Sequence, residues 1–444
     1  MIRPTRGRAR AVAALILSAA LGRAAPGLGA PARLTVEQAS EMALRSNPRL
    51  AAARARVEAG GERTASSARR LLPGVHVADE LQYYDSAFKI AFPAPGGTAS
   101  AELVARKQTT NSFVASVEEP LLGLFRLNNE QEAQAAATEA TRAQLAAAEA
   151  EVRQAVATQF LRYFEALAIG QIADASARQL GAEVDEARAR LASGVITRAD
   201  LLRLEVAVAN ANQQALQARS QAQVARATLF AAIGLGPADN GVTLVEPQNL
   251  LRAARTPPAR YEALLPGAHA RRPELVERLR LVDAADRQAR ARAYAMLPDI
   301  NAEAAYLRVD GQVFAPKNSA YVGLKAQWAI WEWGASEHLR HAAEADALAA
   351  RRDLEATERQ VESDLSISLA LGEAARGAVD AAEKAIASAE EAFRVTEAQV
   401  KAGAATTTDL LESESALTQA RLNLTRAQYE LALAQVALAR ASGV

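Results

Sequence analysis

One ten-residue segment constrains this chain more than any other feature, because it occurs twice. Ser193-Gly194-Val195-Ile196-Thr197-Arg198-Ala199-Asp200-Leu201-Leu202 returns as Ala402-Gly403-Ala404-Ala405-Thr406-Thr407-Thr408-Asp409-Leu410-Leu411, at an offset of 209 in residue number. In each copy a Gly follows a long Ala-rich helical pattern, a Thr-containing turn comes next, and an Asp stands where its side chain can cap a new helix. Each copy therefore predicts the tip of a helical hairpin, with Gly194 and Gly403 at positive φ. The chain reads as a duplication.

A second set of matches has a different offset. Asn47-Pro48-Arg49-Leu50 corresponds to Arg272-Pro273-Glu274-Leu275, and Leu72-Pro73-Gly74-Val75 to Leu297-Pro298-Asp299-Ile300, both at an offset of 225. The difference between offsets of 225 and 209 gives the first half 16 additional residues, and they lie between Val75 and Gly194. Val75, Val77, Leu81 and Tyr83 alternate loosely, as do Phe113, Ala115 and Val117, which predicts two strands around a loop from about Asp85 to Thr110. Pro93, Pro95, Gly96 and Gly97 mark that loop. The shorter counterpart, Gly311 to Asn318, assigns most of the excess to the first connection between strands, where insertions are tolerated.

Proline placement sets the helix lengths. No Pro occurs between Pro120 and Pro237, nor after Pro316, so helix is never forced to stop in either stretch. The run from Gly123 to Gly194 makes a helix of about 105 Å at ~1.5 Å per residue. A helix of that length needs lateral partners throughout. Thr35–Leu71 and Asp200–Ile233 are each about half as long and together match it, so the two shorter helices are expected to stack end to end alongside the long one. In the second half Leu264–Met296 and Asp409–Ala441, equal in length, stand in the same way against the run from Gly334 to Gly403. Thr35 and Gln38 have capping-box spacing at the first helix, which Pro48 kinks or divides. Between the halves, Gly234 to Gly267 is a turn-rich linker with one short helix near Gln248 to Arg255, expected to wrap the outside of the bundle.

Composition excludes several function classes. Lys+Arg and Asp+Glu are both 51, so formal net charge is zero, without the cation surplus a nucleic-acid binder needs. With no cysteine there is no disulfide, thiolate metal site or Cys nucleophile. Half the residues are hydrophobic but only 5% are aromatic, which suits long, closely packed helices. Arg3, Arg6, Arg8 and Arg10 followed by the apolar Ala11–Leu21 predict an export signal over residues 1–30, too short to span a bilayer. No later stretch offers ~18 consecutive apolar residues for a membrane helix.

Helix, strand pair, long helix, tip and return helix, in that order and repeated, closely resemble the TolC-like outer-membrane efflux family. The likeness covers nearly the whole mature chain. It is carried by Leu34-Thr35-Val36-Glu37-Gln38-Ala39 with Asn47-Pro48-Arg49-Leu50, by Arg271-Arg272-Pro273-Glu274-Leu275, by both Leu-Pro turns, by Trp331-Glu332-Trp333-Gly334 and by both tips. The chain departs from many relatives at Pro120–Phe125, which lacks an Asp, and at Ala405, where some carry Arg. The resemblance implies a mainly α chain with a small β part and two structural repeats. It further implies a homotrimer whose helices form a long coiled-coil barrel in the periplasm and whose strands share one outer-membrane β-barrel.

Such a protein is a conduit, not an enzyme, serving as the exit duct of an efflux or type I secretion system with a periplasmic adaptor and an inner-membrane transporter. No cofactor, metal or nucleic acid is implied. The expected units are residues 1–30 as signal, 31–236 as the first repeat, 237–263 as linker and 264–444 as the second repeat. Strands in two isolated pairs would leave open edges in lipid, so they must close with those of other subunits. A periplasmic or secreted coiled-coil scaffold is the competing reading. It fits the helices but gives the strand pairs no role.

Candidate site residues follow. The tips, through Gly194, Val195, Ile196, Asp200, Leu201, Gly403, Ala404, Ala405 and Leu410, are expected to dock the adaptor, as the resemblance implies. Asp409 matches an acid after the second tip in relatives, and Glu412, one helical turn on, matches another. Threefold symmetry would make them an acidic ring favouring cations. Arg203 stands at the equivalent of Glu412 in the first half, so the ring belongs to the second tip, and simple helix capping is the plainer role for Asp409. Trp328, Trp331 and Trp333 read as a membrane-interface aromatic belt rather than a ligand-stacking cluster. His338 and His341 have helical spacing but no ligand motif around them, which reads as a solvated face. No nucleophilic, phosphate-binding or paired-acid motif stands out.

Overall fold

A computed structural model describes residues 33–93, 100–236 and 241–443. The expected export signal, the loop markers Pro95, Gly96 and Gly97, and the linker residues 237–240 lie outside them. The chain begins with β1 (Arg33–Leu34) and α1 (Val36–Ser46). Thr35 caps α1 by accepting from the Gln38 amide while the Gln38 side chain accepts from the Thr35 amide, the expected capping box. Pro48 divides rather than kinks: Asn47 ends α1 and caps α2 (Pro48–Arg69), where a proline in the first turn removes an amide that would have had no partner.

Three strands follow, β2 (Gly74–Tyr83), β3 (Phe88–Pro93) and β4 (Ser100–Pro120), then α3 (Gly123–Ala192), 70 residues and about 105 Å long, and the returning α4 (Arg198–Ile233). The linker contributes β5 (Thr243–Leu244), parallel to β1, and the expected short helix α5 (Gln248–Ala254), which packs on the last helix of the chain. The second half runs α6 (Tyr261–Arg271), α7 (Pro273–Tyr294), β6 (Asp299–Gln312), β7 (Asn318–Gln327), α8 (Ala335–Lys401) and α9 (Thr407–Ala441). Both ends of α6 and of α7 repeat those of α1 and α2 at the offset of 225, and the end of α8 repeats that of α3 at the offset of 209.

Alanine sets how these helices meet. Along one part of its length α3 packs on α4 and α9, and along the rest on α2 and α7; α8 packs on α9 and α7 in the same manner. The shorter helices stack end to end as expected: Ser46 Oγ at the end of α1 donates to the Ile233 carbonyl at the end of α4, 3.0 Å away. Arg440 of α9 likewise reaches Glu274 of α7 at 3.0 Å. The largest fully buried side chains gather at the first of these junctions, where Phe160 and Leu161 of α3 meet Leu229, Phe230 and Ile233 of α4 under Leu34. Each such burial contributes roughly 1.5–3 kcal/mol. Nearer the strands Gly60 lets α2 approach α3 so closely that Thr138 Oγ1 donates to the Gly60 carbonyl at 3.1 Å.

Apart from the β1–β5 pair, the strands form one antiparallel sheet in the order β2-β4-β6-β7, with β3 paired to the first part of β4. The loop expected from about Asp85 to Thr110 is therefore largely a β-hairpin. Phe88, Ile90 and Phe92 alternate on β3, Ile90 opposite Leu103, so the apolar period continues past Tyr83, and the marker Pro93 is the last residue of that strand. This hairpin holds the extra residues of the first half: 84–108 separate the paired residues Tyr83 and Thr109, against 309–317 between Arg308 and Asn318.

Candidate functional site

The chain offers two regions of chemistry at opposite ends of the long helices, the hairpin tips and the sheet. At the first tip Val195 N–H bonds the Arg190 carbonyl at 2.9 Å and Gly194 N–H bonds Leu191 at 3.0 Å. The second tip has the same pair, Ala404 to Gln399 and Gly403 to Val400. These are Schellman ends, which require a left-handed residue, and Gly194 and Gly403 have φ of +75° and +74°. The next helix is capped differently from the sequence expectation. Thr197 and Thr406 are the caps, and Asp200 and Asp409 sit three residues on, closing a capping box.

Thr406 N–H and Oγ1–H both donate to Asp409 Oδ2, at 2.8 and 2.7 Å. These bonds from Thr406 hold the Asp409 carboxyl below its ordinary pKa, and the Thr197 bonds do the same for Asp200. The two acids differ in one respect: Arg203 pairs with Asp200 at 3.3 Å, whereas Asp409 has no cationic partner among the described residues. Asp409 and Glu412 are both exposed on α9. Further up the helices burial raises the pKa of Glu183, reinforced by Glu186 and Glu397.

The tip residues divide by burial. Val195, Gly194, Gly403 and Ala404 are exposed, Asp200 and Ala405 half-buried. Leu410 is buried, and Ile196 and Leu201 are half-buried against Val184, Ala187 and Leu204. Ile196 and Leu201 hold the first hairpin end together and Leu410 is drawn out of solvent, so in this conformation the exposed surface of the tips is narrower than the sequence suggests.

The sheet has two chemically different faces, because side chains alternate along each strand. Val75, Val77, Leu81 and Tyr83 of β2 share one face with Tyr306 of β6 and with Val322 and Leu324 of β7, and all are exposed, Val322 to 86%. The opposite face carries His76, Glu80 and Gln82, with Glu303, Tyr321 and Lys325. On that polar face Gly74, Glu118, Glu303 and Gly323 align in one row across all four strands. Asn301 donates to Glu118 at 2.8 Å and Tyr321 to Glu303 at 3.0 Å, which holds the adjacent carboxylates apart. Sequence reasoning missed this pair, since only the register across strands brings the two acids together.

The tryptophans lie at the foot of β7. Trp328 Nε1 donates to the Met296 carbonyl at 3.2 Å, and Trp331 packs edge to face on Trp333. Trp333 has φ +53°, the one positive φ outside glycine among the described residues, at a cost of about 1–3 kcal/mol. With Gly334 at +83° behind it, it turns the chain from strand into α8. His341 pairs with Glu337 at 3.0 Å on the solvated side of that helix.

No helix among the described residues is long and apolar enough to cross a membrane. Comparison with known proteins agrees with the architecture. A family model described as "Outer membrane efflux protein" matches residues 39–235 and 264–444. No curated protein sequence matches the chain. Among solved structures, the outer membrane protein VceC of Vibrio cholerae superposes with a TM-score of 0.77 at 18% identity, over 92% of this chain and 96% of VceC. The MtrE outer membrane channel of Neisseria gonorrhoeae, in its open state, gives 0.73 at 19% over 92% and 88%. The CmeC outer membrane channel of Campylobacter jejuni gives 0.72 at 13% over 92% and 85%. At these identities the likeness establishes the fold.

Proposed function

The chain belongs to the outer membrane efflux protein family, whose members are channels and not enzymes, and from that premise we propose that it is the exit duct of a tripartite efflux or type I secretion system. Three copies close their sheets, through the β2-β4-β6-β7 strands of each, into one barrel in the outer membrane, and their helices continue it as a tunnel through the periplasm. Residues 1–30 direct export and are removed. Residues 31–236 and 264–444 act as two repeats joined by the 237–263 linker, which lies outside the tunnel.

The observation that carries this reading is the sheet. Its two outer strands, β2 and β7, each have one unpaired edge, and one face carries exposed apolar side chains, Val75, Val77, Leu81 and Tyr83 on β2 and Val322 and Leu324 on β7. An exposed apolar band with open edges is unstable in water and equally so in lipid until the edges pair. Closure with other copies satisfies both requirements, with the apolar face toward lipid and Glu80, Glu118, Glu303 and Lys325 toward a water-filled lumen. A free coiled-coil scaffold leaves that band unexplained. At the far end the tips present Val195, Gly194, Gly403 and Ala404 to a periplasmic adaptor, which couples the duct to an inner-membrane transporter. Asp409 and Glu412 form the acidic ring at the entrance, and Trp328, Trp331 and Trp333 belong to the interfacial belt. Fractionation tests the proposal: the protein should sediment with outer membranes and conduct ions when reconstituted in a planar bilayer. Recovery as a soluble, non-conducting species would overturn it.

A further inference from the structure

The seam within one chain, where β4 meets β6, carries the information needed to specify the seam between chains. The β2–β4 pairing sets Gly74 opposite Glu118, and the β6–β7 pairing sets Asp299 opposite Gln327. Asp299 follows Gly74 at the offset of 225, and Gln327 follows Glu118 at 209, the two offsets that relate the helices and the tips. Thus β6 is the counterpart of β2 and β7 the counterpart of β4. The free edge of β7 is then the counterpart of the β4 edge that β6 occupies, and the free edge of β2 that of the β6 edge that β4 occupies.

Resting on the trimeric duct proposed above, we infer that β7 pairs with β2 of the next copy in the register that β4 uses with β6. Glu118 opposite Glu303 becomes Gln327 opposite Ala78, and Pro120 opposite Asn301 becomes Ala329 opposite His76. The bond from Leu121 N–H to the Ile300 carbonyl, 2.8 Å, becomes one from Ile330 to Val75.

Three observations agree. First, β4 runs to Pro120, two residues past the last residue that β2 pairs, because β6 continues to hold it; β7 stops at Gln327, the counterpart of that last paired residue. Trp328 and Ala329 lack only the strand that a next copy supplies. Secondly, a one-residue slip would put apolar side chains on the polar face, and this register keeps Trp328 beside Val77 and Ile330 beside Val75 on the apolar one. Thirdly, those four residues are among the most exposed apolar side chains at the foot of the sheet, at 59%, 66%, 79% and 72%. The strained turn at Trp333 and Gly334 begins directly beyond them, so the aromatic foot of one subunit clasps the start of β2 on its neighbour.

The chain has no cysteine, so paired substitutions report the register cleanly. Gln327→Cys is combined in turn with Ala78→Cys, His76→Cys and Gly74→Cys in the full-length protein in outer membranes, and oxidised. Residues opposite each other lie about 4.5–5.5 Å apart at Cα, within disulfide reach, and positions two residues away do not. Cross-linking with Ala78→Cys should be at least about tenfold faster than with either other partner. Faster linkage through His76→Cys or Gly74→Cys, or none from any pair in a protein of three-copy mass, would overturn the register and leave the trimer standing. A single-copy mass would overturn the trimer itself. As a second readout, Ile330→Ser and Val75→Ser should each hasten dissociation of the detergent-extracted assembly severalfold, and the double variant no more than the faster single one. Additive effects would contradict the contact.

Discussion

The two tip glycines allow a test in which the same substitution should have opposite signs at different places. Gly403 has φ +74° and Gly194 φ +75°, and a Cβ added at either meets nothing within 4 Å, so the whole penalty of Gly→Ala is that of a left-handed backbone. That penalty is about 1–2 kcal/mol, offset by ~0.4–1 kcal/mol of reduced chain entropy in the unfolded state, for a net cost near 1 kcal/mol. Gly181 also has open space around it but lies in helical conformation inside α3, where Gly→Ala should stabilise by roughly 0.5–1 kcal/mol. Amide hydrogen exchange reads both changes locally. In Gly403→Ala the Ala404 amide, bonded to the Gln399 carbonyl, should exchange about fivefold faster; in Gly181→Ala, amides around residue 181 should exchange about twofold to fivefold more slowly. If both variants shift exchange in the same direction, backbone conformation is not what the glycines supply at the tips.

Other perturbations separate the remaining elements. Val322→Arg, on the apolar face of β7, should cost about 2–4 kcal/mol and deplete membrane-inserted trimer, whereas Tyr321→Arg on the polar face should insert normally, by immunoblot of unheated membranes. Asp409→Asn with Glu412→Gln should reduce cation preference and block by trivalent cations in single-channel recordings; unchanged selectivity would leave Asp409 only its capping role. Because the Asp200 and Asp409 carboxyls titrate below their ordinary value, the stabilisation they give the tips is present above the ordinary aspartate pKa of about 3.9 and is lost as pH falls through the depressed one. Tip exchange, corrected for its intrinsic pH dependence, should be flat from pH 5 to 8 and rise only in stronger acid. Phe160→Ala, at a fully buried site where α3 meets α4, should destabilise by about 3–5 kcal/mol in thermal melts, while the exposed Leu216→Ala should change little.

Local chemistry makes the helices legible in the sequence. Thr35 with Gln38, Asn47 before Pro48, and the Gly-turn-Thr tips each fix a helix end through bonds made within a few residues, so both partners stand close together in the chain. What depends on pairing across long sequence separations is not legible. The β3–β4 hairpin is hidden because Pro93, Pro95, Gly96 and Gly97 read as loop in the sequence, and the Glu118–Glu303 pair exists only through a register that joins the two halves of the chain. Ile196, Leu201 and Leu410 look like exposed tip residues because the turn is polar around them, yet Ile196 and Leu201 pack against Val184, Ala187 and Leu204 and Leu410 is buried. Asp200 and Asp409 are the right residues in the wrong position of the capping motif, since Thr and Asp can both serve as cap and only the backbone angles decide.

The central claim is that the open sheet closes only with other copies of the chain, and native mass spectrometry of protein extracted from outer membranes in mild detergent tests it most directly. A single species of three mature chains is expected, resistant to dilution. A stable monomer, or an assembly of any other number, would contradict it.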